Sequence, residues 1–150
     1  MSLIDSPLRA LAWLWVKRYV RRQFPNAPRL TTDELAMWLA SDRPTPLLID
    51  VRKTDEYHTC HLPGARHLPT LAAIQQAPIP SKATVILYCS VGYRSARLVQ
   101  QLQAAGYQSV FNLEGSIFEW YNRGYPVVSS QATAPPIHPY NRLWGLLLKD

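Results

Sequence analysis

The residues with the clearest potential for chemistry are a cysteine and an arginine separated by four residues, Cys89 and Arg94. A thiolate is the reactive form of cysteine, and an ordinary thiol is only a few per cent ionised at neutral pH. A guanidinium group and inward-pointing backbone N–H groups would both favour the anion. The spacing therefore predicts a nucleophilic Cys89 whose negative charge, and that of a covalent adduct on its sulfur, is stabilised by the loop and Arg94.

The flanking segments place this loop between a strand and a helix. Thr84–Tyr88 is short, β-branched and apolar, which is typical of a strand buried on both faces. Apolar residues then recur at helical spacing as far as Gly106, a glycine suited to end a helix. Gly92 lets residues 90–94 curl as a loop, and a helix that begins near Ser95 adds its positive dipole. The alternative is a buried, inert cysteine at a strand end, but the glycine, the arginine and the helix start coincide here.

Strands and helices alternate along the rest of the main domain. Further strands are predicted at 47–51, 65–68 and 109–113, and further helices after a capping box at 31–34, around 55–58, at 71–76 and at 116–124. Such alternation with short loops predicts an α/β fold with a central, mostly parallel sheet and helices on both faces. Ligands bind at the carboxyl ends of the strands in such sheets, and Cys89 falls at one of these ends.

The Cys89 loop and three further segments resemble the rhodanese-like sulfurtransferases. The loop reads Cys-Ser-Val-Gly-Tyr-Arg-Ser over residues 89–95. The other segments are Asp50-Val51-Arg52 with Glu56-Tyr57, the His-x-Pro-Gly-Ala sequence at 61–65, and an ending formed by 105–107, 113–115, Trp120 and 124–127. The resemblance covers about residues 30–128, and the order of four separate motifs is much more specific than any one of them.

The resemblance implies covalent catalysis in two steps. The Cys89 thiolate takes the outer sulfur of a small anionic donor such as thiosulfate, becomes a persulfide, and passes the sulfur to an acceptor of the thiol or cyanide type. No metal or organic cofactor is required. The resemblance assigns catalysis to Cys89 and Arg94, and binding of the anion to Ser90, Val91, Gly92, Tyr93 and Ser95. Asp50 and Arg52 are candidate supporting residues, although an ion pair that braces the sheet edge is the favoured interpretation.

Two other functions of this fold stay open. Related phosphatases place five residues between cysteine and arginine, whereas the four residues here make a tighter ring that suits a sulfur atom better than a phosphate. Tyr88 also replaces the histidine that commonly precedes the phosphatase cysteine. The second alternative is a sulfur-carrier or docking module that serves one partner protein, but the intact loop favours an enzyme. The bulky Tyr93, and Ser116 at a position that is often glycine, leave the donor and acceptor undetermined.

The termini flank the catalytic domain with segments of different character. We divide the chain into a basic helix and linker (1–28), a rhodanese-like domain (29–128), and a proline-containing linker with an apolar tail (129–150). The net charge is +6, and residues 1–29 hold six basic residues against one acidic residue. We expect the tail to cover the apolar stripe of the first helix, formed by Leu8, Leu11, Ala12, Trp15 and Tyr19. The alternative is that residues 1–24 bind a partner protein or an anionic membrane. No nucleic-acid-binding module is recognisable.

The cysteine and histidine content favours a cytoplasmic enzyme without a metal. Two cysteines, Cys60 and Cys89, are too few for a disulfide framework, and no apolar run reaches the roughly 18–20 residues of a membrane span. We therefore expect a cytoplasmic location, with peripheral membrane association as the alternative. A metal site at His58, Cys60, His61 and His67 is disfavoured, because the cluster has one thiol and no paired zinc motif. Cys60 is interpreted as incidental rather than as a second redox thiol.

Overall fold

The computed structural model describes residues 7–129, 136–140 and 142–149, and only the backbone of residues 142 and 143. The helices are α1 (Pro7–Gln23), α2 (Thr32–Leu39), α3 (Thr54–Thr59), α4 (Leu71–Gln76), α5 (Tyr93–Ala104), α6 (Ser116–Asn122) and α7 (Arg142–Gly145). The strands are β1 (Arg29–Leu30), β2 (Leu47–Asp50), β3 (Arg66–His67), β4 (Val85–Tyr88) and β5 (Val110–Leu113). Residues 1–6, 130–135, 141 and 150, which include most of the predicted proline-containing linker, lie outside the described residues.

The strands form one parallel sheet in the order β1-β5-β4-β2-β3, which confirms the predicted α/β architecture. The strand that leads to Cys89, β4, lies at the centre of the sheet, and all four of its residues are buried. Alternate side chains of β4 enter two separate apolar clusters, with Ile86 and Tyr88 in one and Val85 and Leu87 in the other. The sheet is therefore covered on both faces, and Cys89 lies at the carboxyl end of its central strand.

Helix α5 begins two residues earlier than predicted. Gly92 adopts a left-handed conformation (φ 101°) and caps the helix, so Tyr93 and Arg94 belong to the first turn rather than to the loop. The predicted end is confirmed, because Gly106 is also left-handed (φ 98°) and the Tyr107 N–H bonds to the Leu102 carbonyl at 3.1 Å. The positive end of the helix dipole is thus closer to Cys89 than the sequence indicated.

The N-terminal helix packs on the domain through a different face from the one predicted. Its buried residues are Arg9, Trp13, Val16 and Val20, whereas Leu8, Leu11, Trp15 and Tyr19 of the predicted stripe are 41–66% exposed. Ion pairs fix this rotation, because Lys17 contacts Glu119 at 2.7 Å and Arg21 contacts Glu114 at 2.6 Å. Both faces of α1 carry large apolar side chains, so their spacing alone could not show which one the domain covers.

The C-terminal tail packs against α1, but not on the predicted stripe. The Trp13 indole N–H donates to the carbonyl of Leu147 at 3.3 Å, and the Leu147 side chain is buried. Asn122 of α6 holds the same carbonyl through its Nδ2 at 2.7 Å. The tail therefore covers the side of α1 next to α6, and four of the five residues of the predicted stripe stay exposed. No helix of the described residues combines the length and the apolar character required to cross a membrane.

Candidate active site

The Cys89 loop is held by the first turn of α6. The N–H groups of Ile117 and Phe118 donate to the carbonyls of Cys89 at 3.1 Å and of Ser90 at 3.0 Å. The Cys89 N–H donates to the hydroxyl of Ser116 at 3.2 Å. These three hydrogen bonds tie the backbone of the loop to a packed helix, so the loop keeps its shape when charge develops on the sulfur.

Ser116 occupies a position where the resemblance leads us to expect a glycine, and its hydroxyl has a structural role there. Its φ of 48° lies in the left-handed region, where a residue other than glycine costs roughly 1–2 kcal/mol. A glycine would avoid that cost but could not provide the hydroxyl, which accepts from Cys89 and donates to the Leu113 carbonyl at 2.8 Å. The serine therefore has a less favourable backbone conformation than a glycine would have, but it provides two hydrogen bonds that connect the ends of β4 and β5.

Hydrogen-bond donors of Gly92 and Ser95 reach the sulfur of Cys89. The Gly92 N–H lies 3.2 Å from Sγ, and the Ser95 hydroxyl lies 3.4 Å from it. The Ser95 hydroxyl has one proton and a second acceptor, Asn112 Oδ1, at 2.6 Å. Asn112 in turn donates from Nδ2 to the Gly92 carbonyl at 3.1 Å, which fixes its oxygen towards Ser95. Ser95 can thus bond to Asn112 beside a neutral thiol and turn its proton to the sulfur when the thiolate forms.

These surroundings favour the Cys89 thiolate. Burial is the largest influence on the pKa of Cys89 and raises it, because the thiol is almost completely enclosed. The charge of Arg94 and the hydrogen bonds from Ser95 and Gly92 lower the pKa by more, so the net pKa lies below its ordinary value. A lowered pKa in a cysteine at a helix N-terminus is typical of a nucleophile rather than of a structural thiol.

Arg94 is positioned by a buried acid whose role the sequence analysis missed. Its Nη1 and Nη2 atoms donate to the two carboxylate oxygens of Glu56 at 3.1 Å each, and Nη2 also donates to the Ser90 hydroxyl at 2.8 Å. Burial raises the pKa of Glu56. The hydrogen bonds from Arg94 and the Lys53 N–H lower this pKa by more than burial raises it, so Glu56 is a carboxylate at neutral pH. In the sequence Glu56 belongs to the segment that begins with Asp50-Val51-Arg52, and its charge, opposite to that of Arg94, is the signal that could have indicated its role.

A small pocket opens above the sulfur. Its volume is about 190 Å³, and it is lined by Cys89, Ser90, Val91, Tyr93, Arg94, Tyr140 and Trp144. The loop residues were predicted, whereas Tyr140 and Trp144 come from the tail, which the sequence analysis did not connect with the site. The ring centroid of Tyr140 lies 4.4 Å from the Arg94 guanidinium carbon, a cation–π distance. The tail thus forms one wall of the pocket.

Asp50 and Arg52 lie outside this pocket. Both side chains are completely buried, and Arg52 Nη2 lies 2.7 Å from Asp50 Oδ2. Arg52 also donates to the Cys60 carbonyl, so the pair connects the end of β2 with the end of α3. This geometry agrees with the bracing interpretation of the pair rather than with contact to a substrate.

Cys60 has the surroundings of an unreactive thiol. Cys60 is buried, and burial is the main reason that the pKa of its thiol lies above the ordinary value. The neighbouring histidines stack on Tyr57, with ring centroids 4.0 Å away for His61 and 4.8 Å away for His67. Within the described ranges, no three His, Cys, Asp or Glu residues are arranged to hold a metal ion.

Known proteins resemble this chain over the region of the predicted rhodanese-like domain. Residues 31–123 match the family model of the rhodanese-like domain. A sulfurtransferase of Allochromatium vinosum is 34% identical over 103 residues, which are 68% of this chain and 95% of that protein. The probable adenylyltransferase/sulfurtransferase MoeZ of Mycobacterium tuberculosis is 34% identical over 107 residues, which are 69% of this chain but only 27% of that protein. The solved structure of thiosulfate sulfurtransferase from Pseudomonas aeruginosa has a TM-score of 0.64 at 25% identity, and the match covers 90% of this chain and 25% of that one.

Proposed function

Because this chain belongs to the rhodanese-like domain family, we propose that it is a sulfurtransferase that carries sulfur as a persulfide on Cys89. The donor is a small anion such as thiosulfate, and the acceptor is a nucleophile of the thiol or cyanide type. The proposal depends on one observation: Cys89 lines the pocket, its sulfur lies 3.2 Å from the Gly92 N–H, and the pKa of its thiol is lowered. Two relatives with sulfurtransferase in their names, each 34% identical, support it.

In the first step the Cys89 thiolate attacks the outer sulfur of thiosulfate. A new S–S bond forms at Cys89, the S–S bond of the donor breaks, and sulfite leaves with the electron pair of that bond. The negative charge stays on the outer sulfur of the persulfide. Among the described residues, no atom accepts a hydrogen bond from the N–H groups of Ser90, Val91, Tyr93 and Arg94, so these groups can bind this anion.

In the second step an acceptor nucleophile attacks the outer sulfur of the persulfide. The acceptor–sulfur bond forms, the persulfide S–S bond breaks, and the electron pair returns to Cys89 as a thiolate. The surroundings that lower the pKa of Cys89 also make it a good leaving group, because they stabilise the same thiolate. One set of contacts therefore serves both steps.

The size of the pocket favours a small donor. Sites for drug-sized ligands usually occupy about 300–1,000 Å³, whereas the Cys89 pocket occupies about 190 Å³. The sulfur already accepts from Gly92 and Ser95, and the N–H groups of Ser90, Val91, Tyr93 and Arg94 remain available to an added sulfur atom. We also propose a cytoplasmic location, because the free thiols of Cys60 and Cys89 suit a reducing compartment.

Steady-state transfer from thiosulfate to cyanide tests this function. A persulfide intermediate predicts double-reciprocal plots that stay parallel when the second substrate is varied. Cys89→Ser should abolish the transfer, and the matched control Cys60→Ser should retain it. Activity that survives in Cys89→Ser would contradict the proposal. A persulfide that forms on Cys89 but never turns over with small acceptors would instead favour a sulfur carrier that serves one partner protein.

A further inference from the structure

The outer face of α1 leaves an unusual row of apolar side chains in solvent. We define this outer face by Leu8, Leu11, Leu14, Trp15 and Tyr19, which are 66%, 60%, 65%, 64% and 41% exposed. At 1.5 Å per residue the row extends for about 17 Å along the helix. A contiguous exposed patch of this kind in a soluble domain marks an interaction surface. The tail, which was expected to cover it, packs on the other side of α1 at Trp13, and its Trp144 reaches only the edge of the outer face, where it lines a groove with Trp15 and Tyr19.

Two arginines are interleaved with this apolar row. Arg18 and Arg22 each lie seven residues, about two helical turns, after Leu11 and Trp15, so they share the outer face. No carboxylate of the described residues pairs with Arg18 or Arg22, whereas Lys17 and Arg21 on the inner side are bound to Glu119 and Glu114. The basic groups that hold α1 on the domain are therefore distinct from those that it presents outward.

We propose that the outer face of α1 binds the surface of an anionic phospholipid bilayer. Leucines would enter the acyl region, Trp15 and Tyr19 would lie at the headgroup level, and Arg18 and Arg22 would contact the phosphates. A second copy of the chain fits less well, because a symmetric contact would bring the unpaired arginines of the two copies together. The groove beside Trp15 and Tyr19 occupies only about 250 Å³, which is too small to seat a partner helix, whereas a flat bilayer needs no groove.

Such binding would place the catalytic pocket beside the lipid. The ring of Trp15 stacks on Tyr19 with centroids 5.5 Å apart, and Tyr19 stacks on Tyr93 at 6.0 Å. Tyr93 lines both the Cys89 pocket and an apolar groove of about 250 Å³ that it shares with Trp15 and Tyr19. This inference does not depend on the sulfurtransferase proposal, because the outer face contains no catalytic residue.

Vesicle flotation of the full chain tests the inference. We expect the protein to float with phosphatidylcholine vesicles that contain phosphatidylglycerol, and not with phosphatidylcholine vesicles alone. Raising the salt from about 0.05 M to 0.5 M should weaken the binding, because salt screens the contribution of the arginines. If the full chain does not float with anionic vesicles at low salt, the inference is wrong.

Matched variants distinguish binding through the outer face from non-specific adsorption to the vesicles. Arg18→Gln with Arg22→Gln should lower the partition coefficient about 25-fold, at about fivefold per arginine, whereas Arg97→Gln on α5 should leave it unchanged. Leu11→Gln should weaken flotation, whereas Met37→Gln should not, although Met37 is exposed to a similar degree (67%) on α2. Circular dichroism checks that each variant is folded.

A second readout locates the contact. Brominated phospholipids quench nearby tryptophans, so quenching in the native chain should be largely lost in Trp15→Phe, while the fold and the flotation are kept. Equal losses of flotation in the control variants would overturn the inference. It would also be overturned if light scattering showed a dimer that Leu11→Gln dissociates while anionic vesicles bind nothing, because the outer face would then join two copies.

Discussion

Replacing Arg94 with alanine tests the contribution of its ion pair to both stability and chemistry. The Glu56 side chain is 1% exposed and holds two guanidinium nitrogens at 3.1 Å, so the substitution leaves a buried carboxylate without its partner. Breaking a buried ion pair from one side costs about 3–5 kcal/mol. Because Arg94 itself is 28% exposed, water can enter the space it leaves, and we expect a loss near the lower limit, about 3 kcal/mol at pH 7.

The loss should depend on pH in a defined direction. In the native chain the pKa of Glu56 is lowered, so its stabilisation is present above the ordinary carboxylate pKa of about 4.3 and is lost as the pH falls through the folded value. In Arg94→Ala, burial is opposed by the Lys53 N–H and the charge of Arg52 without the guanidinium, so the pKa of Glu56 should lie above its value in the native chain. The stabilisation that the variant lacks should therefore grow as the pH rises between the two folded pKa values, and the difference between the two proteins should be larger at pH 7 than at pH 4.5.

Urea denaturation at the two pH values measures this difference. The control is Arg94→Ala with Glu56→Gln, which should recover part of the stability at pH 7 because the stranded charge is gone. Sulfur transfer should stay about 100-fold slower in both variants, because the guanidinium no longer stabilises the anionic sulfur. A loss below about 1 kcal/mol at pH 7, or an equal loss at both pH values, would refute the reasoning.

Three further predictions concern the pocket itself. Ser95→Ala removes a donor to the sulfur, so the pH midpoint of Cys89 alkylation by iodoacetamide should rise, and an unchanged midpoint would show that Ser95 serves only Asn112. Hydrolysis of aryl phosphates should stay at background in the native chain, since the four-residue loop is too tight for a phosphate; phosphate release that requires Cys89 would overturn this interpretation. Tyr140→Ala should open the tail-side wall and raise the rate with bulky thiol acceptors relative to cyanide, whereas an unchanged ratio would exclude Tyr140 as a determinant of acceptor size.

The central part of the fold was predictable because its signals are local. An apolar β-branched run, a glycine that must be left-handed and a helical repeat ending at Gly106 lie within 25 consecutive residues, and each fixes the backbone of its own segment. The alternation of strands and helices then determined a parallel sheet. Strand β1 was missed because its two residues, Arg29–Leu30, stand between the proline-containing linker that ends at Pro28 and the capping box at 31–34, where no apolar run marks a strand.

The features that escaped prediction depend on contacts between distant segments. Glu56 lies 38 residues before Arg94, and nothing in its own helix shows that Arg94 will face it. Asn112 gave a weak local signal, because an amide within the apolar strand Val110–Leu113 requires a buried partner, and Ser95 and Gly92 are those partners. Tyr140 reaches the pocket only because the tail folds back over the loop, which no pattern within the tail indicates.

Mass spectrometry of the Cys89 peptide tests the central claim most directly. After incubation with thiosulfate and removal of the excess, we expect one added sulfur atom on this peptide, none on the peptide that contains Cys60, and loss of the added sulfur when cyanide is supplied. The same treatment of Cys89→Ser should add nothing. An unmodified Cys89 peptide, or sulfur added to Cys60 instead, would contradict the account.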